Sequence, residues 1–235
     1  MKIVKVVLII FTILLIYFLL RRYVFSTQLT SIADAKTLQV VPSSDLGGDT
    51  SSANFTYSIW FYVDDWNYKY GEPKVILGRM SSKEPQIGII LGAMTNDLKV
   101  SIDTYPSGAP ETDDTPGNIH TCTVKNVPLQ KWVHCLVSLY GKSLDVYIDG
   151  KLVRTCVLPG VAKVDNTTDV SITPMGGFSG FTSNFQYFSD ATNPQQAYDL
   201  YKRGFGGGYL GNMFNKYKIK FVFLVDDKEQ GNFEI

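Results

Sequence analysis

Residues Pro128–Cys156, PLQKWVHCLVSLYGKSLDVYIDGKLVRTC, decide the fold. From Trp132 to Leu139 alternate positions separate into two sets. Trp132, His134, Leu136 and Ser138 form one. Val133, Cys135, Val137 and Leu139 form the other, which is wholly apolar. A period of two marks a strand with one face turned to a core. Turn residues follow at Gly141-Lys142-Ser143 and at Asp149-Gly150. Asp-Gly is a strong hairpin signal, because both positions of the tight turn need positive φ. The stretch therefore reads as an antiparallel meander of Trp132–Leu139, Leu144–Ile148 and Leu152–Val157. Val146 and Ile148 continue the core face, and Trp132 is expected to cap the end of the sandwich.

Similar signals recur on both sides. Phe55, Tyr57, Ile59, Phe61 and Val63 alternate with Thr56, Ser58, Trp60 and Tyr62. Val75–Leu77 stops at Gly78. Ile87–Leu91 and Leu98–Ile102 flank the hairpin loop GAMTND, and Val170–Ile172 and Gly180–Phe188 follow. One helix is expected, over Asn193–Arg203, with Asn193 as cap, Pro194 in the first turn and Gly204 as stop. Many short strands separated by Gly and Pro turns predict an all-β fold, a two-sheet antiparallel jelly-roll sandwich.

The first 25 residues differ in kind. Val6–Leu20, VVLIIFTILLIYFLL, carries no charge, and Ile3 and Val4 extend it past Lys5. A run apolar on every face is long enough to cross a bilayer if Lys5 snorkels. Arg21, Arg22, Tyr23 and Phe25 then follow, where a cleaved signal peptide would have small residues. The sequence thus divides into a transmembrane anchor at 1–25, a polar tether at 26–52, the sandwich at 53–205 and a Gly-rich joint with a strand at 206–235. Within the tether, Leu38, Val40 and Val41 suit a short first strand. Four of the 22 basic residues lie in the anchor, so the remainder holds 18 against 22 acids, a net of −4. A mildly acidic body has no general attraction for nucleic acid.

The meander resembles the central part of laminin-G-like and concanavalin A-like domains, in which a Trp opens a strand and L-x-V/L-Y-x-D-G follows. FTYSIWFYVDDW (55–66) is similar to that family's inner strand, and GGFSGFTSNFQYFSDATNPQQAYDLYKRG (176–204) to its closing strand and helix. The overall pattern also resembles membrane-anchored domains of this kind in large DNA viruses of algae and amoebae. That resemblance implies a single-pass membrane protein at a virion inner membrane or capsid, with the lipid bilayer and other proteins as partners.

Hydrolases of the concanavalin A-like fold carry E-x-D-x-x-E on one strand, because glycoside hydrolysis needs two carboxyls flanking the bond. Only Glu111-Thr112-Asp113 fits the start. No third acid follows at the required position, and Pro110 and Pro116 make the segment a loop. The chain is therefore expected not to be an enzyme. The leading expectation is a membrane-anchored, non-catalytic structural or protein-binding module. The alternative is a lectin with a glycan site, with or without Ca²⁺, in the loops that hold Asp64, Asp65, Trp66 and Tyr68, and Asp113 and Asp114, since carboxylates stand there beside aromatics. The same residue types also serve as solvated turn formers. His120 and His134 are too few and too scattered for a zinc site, and His134 is expected to be half-buried. Cys122 and Cys156 flank the meander and are the candidate disulfide, with Cys135 left as a buried thiol. Spacing alone leaves the bridge open. Asn166 is the better of two glycosylation sequons, the other being Asn54-Phe55-Thr56. Gly206–Gly211 fits G-x-G-x-x-G only formally, because a helix precedes it rather than a strand. Lys216, Lys218 and Lys220 alternate with Tyr217, Ile219 and Phe221. A strand there would serve to join a neighbour's sheet, to lie on anionic headgroups, or to end in a lysine-protected edge.

Overall fold

The computed structural model describes residues 11–16, 29–46, 54–81, 84–108, 117–164, 167–206, 220–225 and 228–234. Two antiparallel six-stranded sheets pack face to face. The strands are β1 (Ala33–Asp34), β2 (Gln39–Val41), β3 (Phe55–Asp65), β4 (Lys74–Ser81), β5 (Glu84–Leu91), β6 (Leu98–Thr104), β7 (Asn118–Val124), β8 (Trp132–Tyr140), β9 (Ser143–Ile148), β10 (Lys151–Val157), β11 (Val170–Ile172) and β12 (Ser179–Phe188). The first sheet runs β1-β12-β3-β8-β9-β10 and the second β2-β11-β4-β5-β6-β7. Helix α1 (Pro194–Arg203) follows β12.

The alternation read from sequence is the core. Val133, Cys135, Val137 and Leu139 of β8 join Phe55, Tyr57, Ile59, Phe61 and Val63 of β3 in the inter-sheet layer. Opposite them lie Ile87, Ile89, Leu91, Val100 and Ile102. Each such side chain contributes about 1.5–3 kcal/mol by leaving water. Arg79 also enters this interior, 1% exposed, with its guanidinium 5.7 Å from the Tyr187 ring.

The other alternate set is buried too, by a different device. Across the first sheet's outer face, Thr56, Ser58, Trp60 and Tyr62 of β3 lie opposite Ser138, Leu136, His134 and Trp132 of β8. Helix α1 and its entry loop lie over this face. Thr192 N–H donates to Ser138 Oγ at 2.8 Å, and Thr56 Oγ1 donates to Asp190 O at 2.8 Å. The hydroxyls thus satisfy a loop that would otherwise bury unpaired backbone. Next along the face, Leu136 and Tyr147 pack on Ala197 and Leu200. Asn193 and Gln196 close a reciprocal capping box at the start of α1, which satisfies two of its free N–H groups.

Several expectations need correction. Residues 29–46, placed in the tether, are part of the sandwich. β1 pairs with β12 and β2 with β11, while Ala35, Val41 and Leu46 are buried. Strands of two and three residues carry no periodic signal of their own. β4 does not stop at Gly78, which pairs with both Gly88 and Ser171 in mid-sheet. β7 is a strand the sequence did not announce, because as an edge it alternates only weakly. Trp132 stands on the outer face of the first sheet rather than capping its end. His134 is fully buried, not half-buried. The C-terminal strand starts at Lys220 and pairs in a hairpin, Lys220–Val225 with Lys228–Glu234. Lys216 and Lys218 lie outside the described residues. Of the expected anchor, residues 11–16 are helical and the rest lies outside the described residues. Among the described residues no helix is long and apolar enough to cross a membrane.

Candidate functional site

The outer face of the first sheet ends in a row of aromatics. Phe181 on β12 pairs with Tyr62 on β3, and Tyr62 with Trp132 on β8. Ring centroids are 6.4 Å and 5.8 Å apart along the row. Phe181 is 45% exposed, and Tyr62 and Trp132 are half-buried. Gly180 makes the row feasible. Its φ is +149°, and a Cβ there would lie 1.8 Å from Tyr62 O, so only glycine lets β12 lie this close to β3.

One residue pair further in, Trp60 faces His134. The C-terminal turn of α1 descends onto them. Tyr201 stacks on Trp60 at 5.6 Å, and Phe205 stacks on Trp132 at 4.5 Å with planes 6° apart. A groove of about 290 Å³ opens among Trp60, Trp132, Tyr201, Lys202, Gly204 and Phe205. Ser58 Oγ lies 2.9 Å from His134 Nε2. Burial holds the His134 imidazole down at about pKa 4, against the opposing pull of Asp149, so the ring is neutral at pH 7. Asp149 accepts the His134 backbone N–H and pairs with Lys131 at 3.1 Å. Asp149 and Gly150 form the turn with φ of 50° and 73°. A Cβ on Gly150 would sit 3.0 Å from Tyr201, so the hairpin glycine also admits the helix.

A second groove of about 290 Å³ lies along α1, among Phe188, Asp190, Thr192, Gln196, Asp199 and Arg203. Its polar groups are already engaged. Asp190 Oδ1 accepts Ala191 N–H, Asp199 Oδ1 accepts Gln195 Nε2–H, and Gln196 serves the capping box.

In the loop expected to bind a ligand, Asp65, Trp66 and Tyr68 have contacts within the protein. Asp64 and Asp65 are exposed, and Asp65 Oδ1 accepts Asn67 N–H in a turn. Trp66 packs on the core, and the buried Lys74 ammonium lies 4.5 Å over its ring. Burial holds Lys74 below its usual pKa. Tyr68 donates to Gly176 O, with Lys36 4.9 Å over its ring. Asp113, Asp114 and Asn166 lie outside the described residues. Among the described residues no three His, Cys, Asp or Glu gather to hold a metal ion. Asn54, the other sequon, accepts Gly141 N–H through Oδ1, and Thr56 is buried.

Cys122 and Cys156 are bonded, with Cα atoms 6.1 Å apart. They join β7 to β10, the edge strands at one side of the two sheets. Cys135 is a free thiol in the core, and burial pushes it up to about 12.

The groove was not assembled in advance. Trp60, Tyr62 and Trp132 were legible as the set that does not face the core. Their union with Phe181, Tyr201 and Phe205 depends on pairings between residues about 70 or more apart in the chain, and spacing cannot show those.

No curated protein is similar enough in sequence to count as a relative. Three solved structures share the fold. One is described as a receptor binding domain, at 12% identity, covering 74% of this chain and 46% of that one, with a TM-score of 0.51. Another is the binding domain of botulinum neurotoxin serotype G, at 11% identity, 76% and 49% coverage and a TM-score of 0.50. The third is a botulinum neurotoxin type C structure whose cell entry is described as dependent on two ganglioside molecules, at 12% identity, 74% and 46% coverage and a TM-score of 0.50. The chain thus spans less than half the length of each, and at such identity the likeness is one of fold. Residues 36–197, well over half of the chain, match the family Laminin_G_3, described as "Concanavalin A-like lectin/glucanases superfamily". The chain belongs to that superfamily.

Proposed function

We propose that this lectin-like sandwich is a non-catalytic binding module that takes a glycan on the aromatic end of its outer face. The observation that carries the reading is the row Phe181–Tyr62–Trp132 beside a groove lined by further rings. Sugar rings present flat C–H faces that lie well on the electron-rich faces of aromatics. Among the described residues no carboxyl group lines this groove, and two are needed for glycoside hydrolysis, which supports binding without cleavage. Solved structures of like fold are described with ganglioside molecules and with a protein, synaptotagmin II, and the aromatic row is what favours the glycan. The uncharged run Val6–Leu20 supports display of the module at a membrane.

The test is a glycan array probed with the full chain in nanodiscs, beside Tyr62→Ala and Trp132→Ala variants. Binding by the wild type that both variants lose is the expected result. An array without hits for the wild type sinks the proposal.

A second reading, a structural protein of a virion that links a membrane to a shell, draws on the viral resemblance of the sequence. The exposed Ile119 of β7 and Leu152, Val153 and Val157 of β10 favour it, because unpaired edges bearing apolar residues suit protein contacts. Crosslinking in purified particles tests it. Crosslinks from Lys151 to another protein support it, and their absence removes it.

A further inference from the structure

Trp132 offers a flat indole face at the rim of the groove, but the chain's own Phe205 covers it. The two rings lie 4.5 Å apart and 6° from parallel. The backbone beneath Phe205 is pinned. Phe205 O accepts Ser183 Oγ–H at 2.6 Å, Gly204 O accepts Asn184 Nδ2–H at 2.9 Å, and Gly204 N–H donates to Tyr201 O at 3.0 Å. The Phe205 side chain has ring contacts with Trp132 and, edge-on, with Trp60 at 6.0 Å. Its ring can therefore leave by rotation about χ1 while the main chain stays in place.

Trp60 supplies a second, independent observation. It is 6% exposed and lines the groove, yet its indole Nε1–H is buried without an acceptor. A buried donor left unpaired is unfavourable, and buried Trp nitrogens normally find a partner. Beside the ring that covers Trp132 there is thus a donor that no described residue satisfies.

We infer that Phe205 is a place-holder for the ligand, and that the subsite beneath it takes one pyranose ring, stacked on Trp132 and accepting a hydrogen bond from Trp60 Nε1–H. This rests on the reading of the outer face as a glycan site. The groove stands at the small end of ligand pockets, which run about 300–1,000 Å³, and suits a terminal sugar or a disaccharide better than a long chain. Among the described residues it holds no carboxylate, and the Lys202 ammonium lies 5.0 Å over the Tyr198 ring. The selected groups on the sugar are accordingly a C–H face and an acceptor oxygen. Phe205 sets the threshold for binding, because its stack must break before the sugar's stack forms.

The experiment titrates the full chain in nanodiscs with methyl glycosides of galactose, glucose and N-acetylglucosamine, reading tryptophan fluorescence. Acrylamide quenching is measured in parallel. Phe205→Ala is expected to bind tighter by roughly two- to tenfold, the worth of one aromatic pair, and to show a more quenchable tryptophan without sugar. Trp60→Phe keeps the ring, removes the donor, and is expected to bind several-fold more weakly. Trp132→Ala is expected not to bind. If the wild type binds and Trp132→Ala does not, while Phe205→Ala binds equally or more weakly, the place-holder inference falls and the glycan site stands. If neither the wild type nor Phe205→Ala binds any of the three sugars, both fall. Should Phe205→Ala fail to fold, Phe205→Leu keeps apolar cover without a flat ring, and the same comparison applies to it.

Discussion

The Cys122–Cys156 bond ties β7 to β10 where the two sheets would otherwise part, and breaking it should be costly. It closes a loop of 34 residues. The loop-entropy relation gives about 4 kcal/mol for a loop of that size, against a whole-domain stability of about 5–15 kcal/mol. Cys156→Ala is the clean perturbation. Cys156 is half-buried at the rim, whereas Cys122 is 1% exposed and part of the core, so the variant breaks the bridge and leaves the interior filled. Pairing of Cys135 with Cys122 in the unfolded variant would need an oxidant, so oxygen is excluded during its unfolding; in the folded protein Cys135 is buried in the core. Urea unfolding of the full chain in detergent micelles should show a loss of about 4 kcal/mol. The m-value should rise as well, because an uncrosslinked denatured chain exposes more surface. A loss under about 1 kcal/mol with unchanged m would refute the reasoning. So would unreduced peptides in which Cys122 is alkylated.

Three further outcomes follow from the packing. Because His134 titrates near 4 when folded and near 6.5 when unfolded, the unfolded chain takes up its proton first. The stability His134 contributes is complete above about pH 6.5 and is lost as pH falls towards 4, by about 3 kcal/mol at most; urea midpoints against pH should show that slope, and His134→Gln should flatten it. Leu136→Ala removes the side chain on which Ala197 and Leu200 rest. It should cost about 2–5 kcal/mol and speed hydrogen exchange in α1 before that in the core strands. Gly180→Ala places a Cβ 1.8 Å from Tyr62 O and should cost more than about 2 kcal/mol, with Tyr62 and Phe181 losing register; an unchanged melting temperature would count against the close approach.

The elements that were legible carry their own local signal. The meander had a two-residue period and an Asp-Gly turn, and α1 had its cap, its first-turn Pro and its terminal Gly. What sequence could not show is whatever depends on a partner. β1 and β2 are strands only because β12 and β11 lie beside them. Gly78 breaks an isolated strand, yet here it lies between Gly88 and Ser171, where two neighbours supply the hydrogen bonds. The loop from Asp64 to Tyr68 had the residue types of a ligand site, but turn geometry and lysine–aromatic contacts account for them.

The same logic explains why an aromatic face stays uncovered by the helix on this sheet. Thr56, Ser58 and Ser138 receive the entry loop of α1, and Leu136 and Tyr147 receive its apolar side. Those contacts set where the helix lies, and Gly150 lets it come close to the hairpin. A helix of ten residues, starting at the hydroxyl end, reaches Trp60 only with its last turn, and Trp132 is met by Phe205 just past the helix. Beyond that point the sheet still carries Tyr62 and Phe181 without cover from the helix. Exposed aromatic surface of this kind is unfavourable in water, and on a monomer it commonly marks a contact site. Lengthening α1 by one turn, by inserting Gln-Ala-Lys-Arg between Arg203 and Gly204, should therefore lay helix over Tyr62 and Trp132 and abolish glycan binding by covering the face. The melting temperature should stay within a few degrees. Retained binding in that variant would mean that the face is not where the ligand sits.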